Sequence, residues 1–161
     1  MLKTITASTK NYPHKSLLEV NADVHTQVYS VIESFKDENL AFRIDHYDRT
    51  IGDILSHALM TQRHFFLGFL VMGNEEESDY KEPKLSNIDE ALDMIQKNYD
   101  ITTKLIQGLS DEDLNVVIKT EWGQEMSKEL AAWQGISQIM QHVGEITVIA
   151  GIGGFYEGVL G

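Results

Sequence analysis

Two rows of polar side chains at helical spacing are where this sequence could do chemistry. His57 and His64 stand seven residues apart, so one helix would carry both on the same side, with Asp53 and Thr61 in the same stripe. Gln138, His142 and Glu145 follow one another at four and three residues, again a single stripe. Gly135 and Ala131 continue that second row, and their small side chains would leave room for a ligand. One imidazole from each of two facing helices is a common way for a helix bundle to build a metal site. Neutral imidazole suits zinc, nickel, copper or iron. A plainer reading stands beside this one, because a histidine on a half-apolar helix face is more often a hydrogen-bonded structural residue than a ligand. The other histidines, His14, His25 and His46, read as surface or loop residues.

The remaining motifs carry less. Gly151-Ile152-Gly153-Gly154 is glycine-rich, but no strand precedes it and no Lys-Ser/Thr pair follows, which argues against a phosphate loop. Ser137 lacks the nucleophile-elbow context of a hydrolase. Glu75-Glu76-Glu77 reads as a solvated loop.

The elements that must position the two rows are long helices. Proline occurs only at Pro13 and Pro83, so little interrupts them. The first helix is expected to open at Ser16 with a capping box to Glu19 and to run to about Leu40, burying Leu17, Val20, Val24, Val28, Val31 and Phe35. The second opens near Thr50, with Asp53 in its first turn, and ends near Gly73. Its apolar face would hold Ile51, Ile54, Leu55, Ala58, Phe65 and Phe69. The third runs from Ser86 or Asn87 to Gly108, with Ala91, Leu92, Ile95, Tyr99 and Leu105 inward. Ser110 caps a single turn, and Asn115 to Met126 reads as a short extended pair or a structured loop. The fourth starts at Ser127, carries Trp133, Ile136, Met140, Val143, Thr147 and Ala150, and stops within Gly151 to Gly158. Four long helices with mostly short connections imply an all-α four-helix bundle, a single domain over 1–161 with a tail at 1–15.

Composition bounds the function. The net charge of −12 repels a phosphate backbone, and no basic run offsets it, so nucleic acid is an unfavourable partner. Absence of cysteine removes disulfides, thiolate metal ligands and cysteine nucleophiles, and fits a reducing cytoplasm. The polar N-terminus lacks the apolar core of a signal peptide, and the apolar run Phe65 to Met72 is shorter than the roughly 20 residues that span a bilayer.

Thr50-Ile51-Gly52-Asp53-Ile54-Leu55-Ser56-His57 resembles the opening of the second helix in the DinB/YfiT-like family, where histidine follows a Leu-x-His pattern. Gln138-Ile139-Met140-Gln141-His142-Val143-Gly144-Glu145-Ile146 resembles that family's last-helix pattern, His-x-x-x-His-Arg-Gly-Gln-Ile. The resemblance covers about Ser16 to Tyr156. It implies a four-helix bundle, often a homodimer, with three histidines on a divalent metal such as nickel or zinc. Some members transfer or isomerise groups with a low-molecular-weight thiol, and others are assigned as hydrolases. Carried over residue by residue, His57 takes the place of the first ligand and His142 that of the third. Gln138 occupies the second, where a neutral carboxamide is a weaker ligand than imidazole. Val143 and Glu145 replace the family's arginine and glutamine. His64 lies two turns from His57, about 10 Å along a helix, which is too far to substitute.

Three functions remain open on these grounds. One is a metal-dependent enzyme, a thiol-dependent S-transferase or a hydrolase with a His57/Gln138/His142 site, in which Glu145 or Gln62 orients a small-molecule substrate. The second is a metal-free relative that binds a ligand or serves as a structural dimer. The third is an interaction module that uses the aromatic second helix.

Overall fold

The computed structural model describes residues 15–74 and 80–158. His14 and the run Glu75-Glu76-Glu77 lie outside these residues. Among them are α1 (Lys15–Glu33), α2 (Asp37–Leu40), α3 (Ile51–Met60) continuing as a π-helical segment (Thr61–Val71), α4 (Ile88–Gln107), α5 (Asp111–Asn115), β1 (Val117–Lys119), β2 (Glu125–Ser127) and α6 (Lys128–Ile152). The fold is an all-α four-helix bundle. Its rods are α1, α3 with its π extension, α4 and α6. The α1 rod packs on α4 and α6, and the α3–π rod packs on α6 and α4. No described helix is long and apolar enough to cross a membrane.

Local signals set most boundaries. Thr50, Asn87, Ser110 and Ser127 each accept a backbone N–H of the first turn that follows. Thr50 with Asp53, and Ser110 with Asp113, form reciprocal capping boxes. At the end of the π segment Gly73 takes φ +74°, and Asn74 N–H reaches back 3.0 Å to the Gly68 carbonyl. That left-handed glycine closes the helix as expected. The stretch after α5 is an extended pair, with Ile118 opposite Met126 in an antiparallel hairpin.

Two expectations fail at the first helix. Lys15 is already helical, so Ser16 lies inside the first turn rather than capping it. The helix ends at Glu33, short of Leu40. Phe35 N–H bonds the Ile32 carbonyl at 3.0 Å and Ser34 Oγ bonds the Val31 carbonyl at 2.6 Å, so the last turn tightens and turns Phe35 into the core. The short α2 then places Asp37, whose carboxylate accepts the Ile88 N–H at 2.9 Å at the start of α4.

The π segment changes which residues face inward. Its wider turn, seen in the Met72 N–H to Leu67 carbonyl bond of 2.9 Å, rotates the helix out of 3.6-residue phase. Phe66, Leu67, Leu70 and Val71 are buried, whereas Phe65 and Phe69, expected in the core, are only half-buried. On α6, Ile136, Ile139, Ile146 and Ala150 are buried, but Met140 is 53% exposed.

Candidate functional site

The α3 capping box fixes the first turn of the helix that carries His57. The Thr50 backbone N–H and hydroxyl both donate to the Asp53 carboxylate, at 3.0 and 2.8 Å. These bonds, the backbone one foremost, hold the Asp53 carboxyl below its ordinary range. His142 lies in the middle of α6, which packs on α3. The two imidazoles meet edge to face, with centroids 5.2 Å apart and planes at 86°.

Each ring is held by a carboxylate through Nδ1. His57 Nδ1 lies 2.6 Å from Glu82 Oε1, and His142 Nδ1 lies 2.6 Å from Glu145 Oε2. An ionised carboxylate only accepts, so Nδ1 carries the proton in both rings and Nε2 presents its lone pair when the ring is neutral. This is the arrangement by which protein carboxylates orient metal-ligating histidines. Glu145 also accepts the Tyr47 hydroxyl on its other oxygen. Partial burial raises the Glu145 carboxyl, but the bonds from Tyr47 and His142 outweigh it and hold it below the ordinary value. The same contact raises the Tyr47 phenol.

Tyr47 reaches Glu145 from the turn between α2 and α3. Its N–H bonds the Ile44 carbonyl at 3.1 Å, and His46 takes φ +66° to close that turn. A non-glycine residue in the left-handed region is strained by roughly 1 kcal/mol or more. His46 is therefore the loop residue expected, and its left-handed conformation shapes the turn from which Tyr47 projects.

Other expected members lie elsewhere. Gln138 is one turn before His142, and its amide N–H bonds Gln141 Oε1 at 3.4 Å. Among the described residues no three His, Cys, Asp or Glu side chains converge on one metal position. His64 is rotated away by the π turn and stacks on Tyr80, with centroids 5.1 Å apart and planes at 17°. The room expected at Gly135 and Ala131 is filled, since both are buried and a Cβ on Gly135 would stand 2.8 Å from Phe66 Cβ. Small residues there admit the π segment to α6, not a ligand.

His25, expected at the surface, is fully buried. Its Nδ1–H donates to the Asn21 carbonyl at 2.7 Å, and its Nε2 accepts from Asn98 Nδ2 at 3.1 Å. Asn98 Nδ2 also donates to Gln62 Oε1 at 2.8 Å, and Gln62 Nε2 donates to Asn21 Oδ1 at 2.7 Å. Asn21 Nδ2 ends the chain on Thr102 and Thr103, at 3.1 and 3.3 Å. Gln62 is thus a buried link between α1 and α4 rather than a ligand-orienting residue. Burial drives the His25 pKa down to about 4, against the raising effect of the Asn21 bond.

Glu82 and Tyr47 were not visible as site members in the sequence, because they lie 25 and 98 residues from their partners His57 and Glu145. The only signal for Glu82 was its place in the loop before Pro83, whose carbonyl accepts from Ser56 Oγ at 2.8 Å.

The sequence matches the model of the DinB family over residues 7–149. The chain belongs to the DinB family. Two solved DinB-like structures share the fold. A DinB-like protein from Bacillus subtilis superposes with a TM-score of 0.72 at 12% identity, covering 88% of this chain and 94% of its own. One from Bacillus cereus ATCC 10987 gives 0.71 at 18% identity, covering 91% and 97%. No curated protein matches the sequence. Within this DinB chain, His57 and His142 are brought together where the family resemblance put two ligands, and Gln138 stands one turn away.

Proposed function

We propose that this DinB-family protein is a metal-dependent enzyme with an altered site, in which His57 Nε2, His142 Nε2 and the Gln138 carboxamide oxygen hold a divalent nickel or zinc ion. The pair of Nδ1-anchored imidazoles supports this reading most directly. Two half-buried imidazoles in edge-to-face contact, each with its Nδ1 fixed by a carboxylate, would each offer an Nε2 lone pair to a cation. The donor set fits a borderline metal, and the neutral carboxamide makes it a weak binder compared with three imidazoles. Such an ion supplies Lewis acidity that lowers the pKa of a bound water or thiol. Glu145 holds His142 in its Nε2-ligating tautomer, and the Tyr47 hydroxyl holds Glu145. Thiol-dependent group transfer and hydrolysis are the reactions this site would serve.

Elemental analysis of untagged protein loaded with nickel or zinc tests it. About one metal per chain, lost in His57→Ala and in His142→Ala, supports the enzyme and calls for assays of thiol transfer and hydrolysis. No metal under any loading overturns it.

A second reading is a metal-free family member that serves as a ligand-binding or structural homodimer. It draws on Gln138, whose amide is already engaged by Gln141. The homodimer draws on the i+4 ridge of α6, where Met140, Val148 and Ile152 are more than half exposed and Gly144 faces open space. Light scattering on wild type and Val148→Glu measures it. A monomer in both removes the dimer.

A further inference from the structure

The face of the molecule between the π segment and α4 carries a groove with two unlike ends. One end has a volume of about 520 Å³ and is lined by Arg63, Lys81, Lys84 and Lys97 over a floor that includes Met60 and Met94. The other has a volume of about 280 Å³ and is lined by Gly68, Met72, Ile101 and Leu105. Arg63 lines both, so the two adjoin at its side chain. Lys97 and Leu105 mark the two ends on α4, about 12 Å apart by the helical rise.

The charge at the first end runs against the rest of the chain. The protein has a net charge of −12, yet four of its thirteen lysines and arginines line this one groove. The two carboxylates in the same lining, Asp93 and Glu90, are already engaged. Asp93 pairs with Lys97 at 2.6 Å, and Glu90 accepts from Ser86 Oγ at 2.8 Å. Among the described residues no carboxylate forms an ion pair with Arg63, Lys81 or Lys84, although Lys84 stands near enough to Asp53 to help lower its carboxyl. Like charges gathered together raise each other's energy, and an anion placed among them relieves that repulsion. Among the described residues that line it, the second end carries no charge apart from Arg63, its polar member is Asn74, and Met72 there is 48% exposed. An apolar body laid along it would cover Met72, Ile101 and Leu105.

We propose that this groove binds a single-chain anionic amphiphile, a medium-chain carboxylate, with its head among Arg63, Lys81 and Lys84 and its hydrocarbon along Met72, Ile101 and Leu105. The head and tail positions follow from the order of the lining. A compact inorganic anion would leave the apolar end uncovered, and a neutral or cationic chain would leave the repulsion among the cations in place. The groove is separate from the two imidazoles. The 80–85 segment joins them, with Glu82 turned to His57 while Lys81 and Lys84 line the groove.

Calorimetric titration of the full chain with decanoate, decyltrimethylammonium and inorganic phosphate tests the proposal. Decanoate is expected to bind saturably at one site and to weaken at least tenfold in Lys81→Glu/Lys84→Glu, a change confined to exposed side chains. Raising the ionic strength from low to near 1 M salt should also weaken it, because exposed charges are screened over about 3 Å there. Met72→Asp should weaken decanoate and leave phosphate unchanged. Equal binding of the cationic chain, phosphate binding as tight as decanoate, or decanoate affinity unmoved by the double charge reversal would each overturn it. Because none of these readouts involves His57 or His142, failure here leaves the metal reading untouched.

Discussion

His25 Nε2 accepts a hydrogen bond from Asn98 Nδ2 at 3.1 Å inside the bundle, and this contact requires the imidazole to be neutral. A second proton on Nε2 would face an amide that already donates. Among the described residues the ring beside it is Tyr99, with centroids 5.5 Å apart, and it offers no charge. Asn21, Gln62, Thr102 and Thr103 complete a polar chain that also carries none.

Stability should therefore depend on pH through His25. Its folded pKa of about 4 lies below the ordinary 6.5, so the unfolded chain takes up the proton first as pH falls. The His25 contribution is complete above about pH 6.5 and is lost on acidification through pH 4, a change on the order of 3 kcal/mol. Urea midpoints measured from pH 7 to pH 4 check this. His25→Leu should be less stable at neutral pH by about 1–3 kcal/mol, because it strands an Asn98 donor. Its midpoint should vary less with pH, so the two curves approach each other at low pH. Parallel curves would place the titrating group elsewhere.

Close packing of α6 on the π segment predicts opposite outcomes at two glycines. Gly135→Ala forces a Cβ to 2.8 Å from Phe66 Cβ and should destabilise by about 1–3 kcal/mol. Gly144→Ala meets open space and should stabilise by roughly 0.5–1 kcal/mol through helix propensity. Thermal or urea unfolding of the two variants, side by side, measures the difference.

The Glu145 contact predicts a graded loss of metal. Glu145→Gln leaves His142 without an anionic partner and should weaken nickel or zinc binding about 10–100-fold. Tyr47→Phe, one bond further out, should weaken it less. Gln138→His adds the missing imidazole and should strengthen binding. Competition titration against a chelator ranks the three, and a strengthened Glu145→Gln would contradict the orienting role.

Strain at His46 predicts that His46→Gly stabilises the turn or leaves it unchanged, whereas His46→Val destabilises by about 1 kcal/mol or more. The melting temperatures of the two variants decide it.

What was legible in the sequence was local. Thr50, Asn87, Ser110, Ser127 and Gly73 announce helix ends because a cap depends on residues within one turn. The His57 and His142 rows were legible for the same reason, up to the point where two rods had to meet. The π register was not, since it depends on Gly135 admitting Phe66 and on Gln62 bonding across to α1 and α4. That register in turn moved His64 to Tyr80 and exchanged Phe65 and Phe69 for Phe66 and Leu70 in the core. His25 was not legible, because one polar residue among valines looks like a solvent position until its partners on another helix are known.

The polar chain from Asn21 through Gln62 and Asn98 to His25 has a consequence for how this protein can change over generations. Their hydrogen bonds tie three different rods together, and among the described buried side-chain atoms only Asn98 Oδ1 is left without a partner. Replacing any one by an apolar residue strands its neighbour, while replacing all together would restore an oily interior. The centre of the bundle therefore drifts as a block or not at all, while the exposed rim of the molecule is free to vary residue by residue.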